Sequence, residues 1–133
     1  MNALDAIRRW GEARDWRGYD PYDALNSPFA PYLTLGTTFG RRALTQVVKG
    51  SPVNLRPLLR VAPDYNDKAL ALVASAYARL AAARSDGAAA AAARRWLDRV
   101  IADAVVDETG RGWGYHFDVQ TRFFGYAKGT PNT

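Results

Sequence analysis

Two alanine-rich segments with helical periodicity, joined by a turn of only a few residues, constrain this chain more than any other feature. In 66–83, Leu70, Val73, Tyr77 and Leu80 recur at helical spacing, with Ala69, Ala74 and Ala76 beside them. Asn66 or Asp64 is placed to cap that helix. In 88–106, Leu97, Val100, Ile101, Ala104 and Val105 form the apolar stripe. A connection as short as Ser85-Asp86-Gly87 forces the two helices to lie antiparallel and adjacent. At ~1.5 Å rise per residue each would be ~27 Å long. No segment alternates with period two, so the expected fold class is all-α, built from antiparallel helical hairpins.

The flanks are less regular. Asn2 caps a first helix over 2–15, marked by Leu4, Ile7 and Trp10 and weakened by Gly11. Three prolines and a glycine break 16–35, whose many aromatics argue against a solvated linker. Phe39, Ala43, Leu44, Val47 and Val48 mark a helix over 37–48, and a helical piece at 54–60 starts around Pro57. Residues 107–133 open with a glycine-rich, aromatic turn, and 119–126 read as a further helix or a loop.

Composition removes whole classes of chemistry. The chain has no cysteine and one histidine, His116, so thiolate sites, disulfides and multi-histidine metal centres are excluded. No metal or cofactor is expected. The 133 residues match a single helical domain, and 48% hydrophobic residues suffice for a core. The 18 Lys+Arg against 13 Asp+Glu give +5, but the arginines are spread along the chain among acids rather than gathered into a basic face. No nucleic-acid partner is therefore expected. Asp5 interrupts the only stretch resembling a leader, and no stretch reaches the ~18–20 apolar residues of a membrane span. The expected location is cytoplasmic.

Two clusters carry candidate chemistry. Asp20 and Asp23 flank Pro21-Tyr22, so a helical turn would put both carboxylates on one face, as acid and base or as ligands of a divalent cation. The structural reading is that Asp20 caps the turn while Asp23 pairs with an arginine. His116, Asp118, Gln120 and Arg122 are interleaved with Tyr115, Phe117, Phe123 and Phe124. His116 would serve as general acid/base oriented by Asp118 or a neighbour. The alternative is a structural histidine bonded to a carbonyl, with Asp118 paired to Arg122. Tyr19, Tyr22, Trp113, Tyr115, Gln120 and Arg122 would then bind substrate, since an aromatic floor with a few polar groups suits a sugar ring or a polyprenyl chain. Tyr19–Asn26 and Trp113–Arg122 should accordingly meet at one end of the helical layer.

A helical hairpin followed by Asp107 and the turn Gly110-Arg111-Gly112-Trp113-Gly114 resembles the α/α toroid proteins, among them the prenyltransferase and squalene-cyclase repeats and the six-hairpin glycosidases. Four segments, 16–27, 54–59, 68–72 and 113–124, are similar to a family of prokaryotic toroid proteins associated with surface-polysaccharide gene clusters. The resemblance implies a partial α/α toroid whose pattern continues beyond Lys128–Pro131, so that this chain would be the N-terminal part of a longer protein and could self-associate. It also implies a carbohydrate-active or glycan-binding role, with a glycan or another small molecule as ligand. The competing readings are a non-catalytic helical-hairpin interaction module and an enzyme handling terpenoid or prenyl chains.

Overall fold

Asn66 opens the longest helix of the molecule. Its Oδ1 accepts the Ala69 N–H at 3.1 Å, so Asn66 rather than Asp64 is the cap. The computed structural model describes residues 2–108 and 110–131, without the side chain of Asp107. The acidic head of the 107–114 motif thus lies outside the described residues, as do Met1, Thr109 and the last two residues. The chain divides into two units.

Unit 1 holds the chain up to Arg17 together with Tyr65–Trp113. At its centre is the expected hairpin, α4 (Asp67–Arg84) against α5 (Gly87–Ala102). Ser85 ends α4 in a left-handed conformation, and Asp86 caps α5 by accepting the N–H groups of Ala88 and Ala89 at 2.9 and 3.1 Å. Leu70, Ala74, Tyr77 and Leu80 of α4 pack with Ala89, Trp96 and Val100 of α5. The buried face of α5 differs from the expected one: Leu97 and Ile101 are 51% and 48% exposed. Trp96-Leu97 and Val100-Ile101 offer two neighbouring apolar stripes, and burying the larger Trp96 ring removes more apolar area from water.

The first helix, α1 (Ala3–Glu12), is capped by Asn2. Asp15 and Trp16 then both take left-handed φ values, 50° and 55°, which fold the chain back on itself. The Trp16 ring lies directly over Gly11, where a Cβ would meet it at 2.5 Å. The glycine that weakens α1 by propensity is therefore what admits the indole. Trp16 meets Tyr77 edge-on at 6.1 Å, and the Tyr77 hydroxyl donates to Glu12 at 2.7 Å. Trp10, one of the apolar residues that mark α1 in the sequence, is exposed beneath the stacked Arg14 guanidinium.

Helix α5 stops at Ala102, short of the expected 106. Val105–Asp107 (β1) and Gly110–Gly112 (β2) pair antiparallel, with Val105 opposite Gly112. Two consecutive β-branched valines ahead of a glycine turn favour extended backbone over another helical turn.

Unit 2 holds Gly18–Asp64 with Gly114–Pro131. The backbones of Gly18 and Asp64 exchange two hydrogen bonds, at 2.9 and 3.0 Å. Between them lie a 3-10 turn at Asp23–Asn26, α2 (Ala30–Thr34) and α3 (Thr38–Gly50). Gly40 lets α3 start against α2, since a Cβ there would overlap the Thr34 carbonyl. Helix α3 buries Thr45 and Val48 and leaves Phe39 and Val47 exposed. The buried hydroxyls of Thr34 and Thr45 bond back to carbonyls one turn earlier, and Ser27 donates to the Leu59 carbonyl at 2.7 Å. The expected helical piece at 54–60 is a set of turns, ending where Arg60 takes φ 54°. Residues 119–126 form a second hairpin, β3 (Val119–Gln120) with β4 (Gly125–Tyr126). The molecule is thus helix-dominated, about half of it helical, with two small hairpins that correct the all-α expectation. Among the described residues, no helix is long and apolar enough to cross a membrane.

Candidate functional site

Unit 2 gathers most of the candidate residues. Asp20 and Asp23 take the capping and ion-pairing roles. Asp20 Oδ1 accepts the Tyr22 N–H at 2.9 Å, and Asp23 Oδ2 accepts the Asp20 N–H at 3.0 Å. Asp23 is only 4% exposed, and Arg56 answers its charge: Nε donates to Asp23 Oδ1 and Nη2 to the Asp20 carbonyl, both at 2.7 Å. Burial pushes the Asp23 carboxyl above its ordinary range, while Arg56 and the Asp20 N–H pull it partly back. Both Asp23 oxygens are occupied by these donors.

Asp118 engages both of its carboxylate oxygens with partners other than His116. Asp118 Oδ2 accepts Arg41 Nη2 at 3.0 Å, and Oδ1 accepts the Lys128 N–H at 2.9 Å. The Lys128 N–H, helped by Arg41, holds the Asp118 carboxyl below the usual carboxylate range against the opposing effect of burial. Its partner is therefore Arg41 rather than Arg122, which instead stacks over Phe123. One carboxylate beside His116 is that of Asp64, with Oδ2 at 3.8 Å from Nδ1. That spacing makes an ion pair whenever the imidazole is protonated. The His116 carbonyl accepts Asn26 Nδ2 at 3.3 Å, which joins the 3-10 turn to the 114–122 segment as the sequence led one to expect.

Asp64 is the residue that the sequence reasoning missed. Its backbone pairs with Gly18, next to Tyr19, and its carboxylate reaches His116, next to Tyr115. One residue thus ties together the two aromatic segments. Its only sequence signal was its place ahead of α4, which suggested a cap.

The three tyrosines of this region are open to solvent yet held. Tyr19, Tyr22 and Tyr115 are 40%, 43% and 39% exposed. Arg56 stacks on Tyr19 at 5.4 Å, Lys49 lies 4.3 Å from the Tyr22 ring centroid and 2.6 Å from its hydroxyl, and Phe117 packs 5.2 Å from Tyr115. Gln120 is turned inward onto the carbonyls of Thr121 and Phe124, which stabilises the β3–β4 tip. Trp113 belongs to unit 1, where its indole N–H donates to the Val100 carbonyl at 2.7 Å.

Unit 1 carries a separate apolar groove of about 220 Å³ between α1, Trp16 and α4. Leu4, Ile7, Leu72, Val73 and Leu80 line it, and among the described residues Arg8 is its one charged lining residue. Tyr77 forms part of its wall, with its hydroxyl pushed up to about 12 by burial and by the bond to Glu12.

Comparison with known proteins adds no relative: no protein-family model, no curated protein and no solved structure matches the chain.

Proposed function

We propose that this chain is a glycan-binding protein of surface-polysaccharide metabolism, built on the α/α toroid pattern. The observation that carries the reading is the set of three held, part-exposed tyrosines of unit 2, Tyr19, Tyr22 and Tyr115, two of which adjoin in sequence the residues that meet Asp64, Gly18 and His116. A tyrosine fixed by a stacked neighbour offers a flat apolar face to the C–H side of a sugar ring at little further cost in side-chain entropy. Asp20, Asp23 and Asp118 all hold backbone or guanidinium partners, which supports binding over acid–base turnover. The α4–α5 hairpin is the kind of repeat from which α/α toroids are assembled.

The test is calorimetric titration of the full chain against a panel of bacterial polysaccharides. Binding that weakens by about tenfold in Tyr19→Ala and in Tyr115→Ala, at ~1.4 kcal/mol per lost stacking contact, is the expected result. Binding of no member of the panel would overturn the reading. A second reading, handling of a prenyl chain, is favoured by the apolar groove of unit 1. Retention of a long-chain isoprenoid by the wild type but not by Val73→Asp would select it instead.

A further inference from the structure

We infer that the glycan taken by unit 2 is acidic, with a uronate carboxylate received by Lys49 beside the Tyr22 ring, an inference that rests on the glycan-binding reading above. In this unit the carboxylates and cations are unequally engaged. Seven Lys or Arg residues face four Asp residues. Asp23 is answered by Arg56 and Asp118 by Arg41. Lys49 instead takes a phenol as its partner: it sits in the last turn of α3 with Nζ 2.6 Å from the Tyr22 hydroxyl and 4.3 Å from the ring centroid. An ammonium has three N–H donors, so one bond to Tyr22 leaves two for a ligand.

The geometry suits a uronate in particular. A pyranose stacked on the exposed ring of Tyr22 presents its equatorial substituents at the ring edge, where the ammonium stands. A C5 carboxylate at that edge gains a charge-assisted hydrogen bond that a hydroxymethyl group cannot match. The same pairing of a cation with an aromatic ring recurs in unit 2 at Arg60 over Phe29 and Arg122 over Phe123, at 5.6 Å each. The opposing charge is Asp20, whose Oδ1 is occupied by the Tyr22 N–H.

The experiment compares polygalacturonate with the same polymer fully methyl-esterified, which keeps the sugar faces and removes the charge. The full chain is titrated with each, at low and high salt, as wild type, Lys49→Gln and Lys49→Arg. The expected result is tighter binding of the free acid, weakened by salt, reduced roughly three- to tenfold by Lys49→Gln and largely kept by Lys49→Arg. Equal binding of the two polymers, untouched by Lys49→Gln, would overturn the acidic-ligand inference and leave the glycan reading standing. Binding of neither polymer, with a neutral polysaccharide bound, would also overturn it. Failure of every glycan would remove both.

Discussion

A carboxylate as deeply buried as Asp23 is tolerated only where donors answer its charge, and here three donors converge on one corner of unit 2. Arg56 supplies two of them, one to the carboxylate and one to the Asp20 carbonyl, and the Asp20 N–H supplies the third. Removing one partner strands the other. Asp23→Ala should therefore cost about 3–5 kcal/mol in chemical denaturation, whereas Asp23→Leu combined with Arg56→Met should cost far less. A single-variant loss below about 1 kcal/mol would mean that the pair is not desolvated as described. The sequence carried both roles of the Asp20/Asp23 pair but could not choose between them. The deciding partner lies 33 residues away, and no local spacing reports it. Asp118 was legible as an ion-pairing residue, yet its partner came from α3 rather than from its own segment.

At the scale of elements, periodicity located the helices better than it oriented them. The α4–α5 hairpin, its turn and its caps follow from the stripe in 66–83 and from Ser85-Asp86-Gly87. The face of α5 did not follow, because two apolar stripes lie side by side on it. The contrast can be measured: Leu70→Ala, at a fully buried site, should cost about 2–5 kcal/mol, while Leu97→Ala should stay within about 0.5 kcal/mol. Equal losses would mean that Leu97 faces the core after all. The two hairpins escaped the sequence reading because strands of two or three residues are too short to display alternation. In unit 2 the approach of α2 to α3 depends on a missing side chain. Gly40→Ala would drive a methyl into the Thr34 carbonyl and should cost about 1–3 kcal/mol in thermal or urea unfolding. A neutral outcome would show that α3 can shift away freely.

For the molecule as a whole, a basic composition conceals an acid-sensitive balance. Asp15, in unit 1, accepts the Tyr65 hydroxyl and faces Arg95 and Arg17, and these hold its carboxyl below the ordinary 3.8. Asp118, in unit 2, is held below 3.8 by the Lys128 N–H and Arg41. Each carboxyl takes up a proton in the unfolded chain before it does so in the folded one. The stability it contributes is present above about pH 4 and is lost as pH falls through the lower folded value. Asp23, raised by burial, acts in the opposite sense. Urea midpoints should therefore fall between about pH 6 and pH 3, and Asp118→Asn should flatten that fall. An unchanged slope in the variant would remove Asp118 from the balance. Helix dominance was readable from composition and periodicity, whereas the division into two units was not, since the chain leaves the first and later returns to it. The clasp between Gly18 and Asp64 gives that departure a simple meaning. It holds the two ends of 18–64 one strand spacing apart, so for the helices of unit 1 everything from 19 to 63 is topologically a single loop. Closure entropy grows only with the logarithm of loop length, about 0.6 kcal/mol for each doubling. The segment can thus be lengthened to meet a different ligand at a closure cost that rises only slowly with its length.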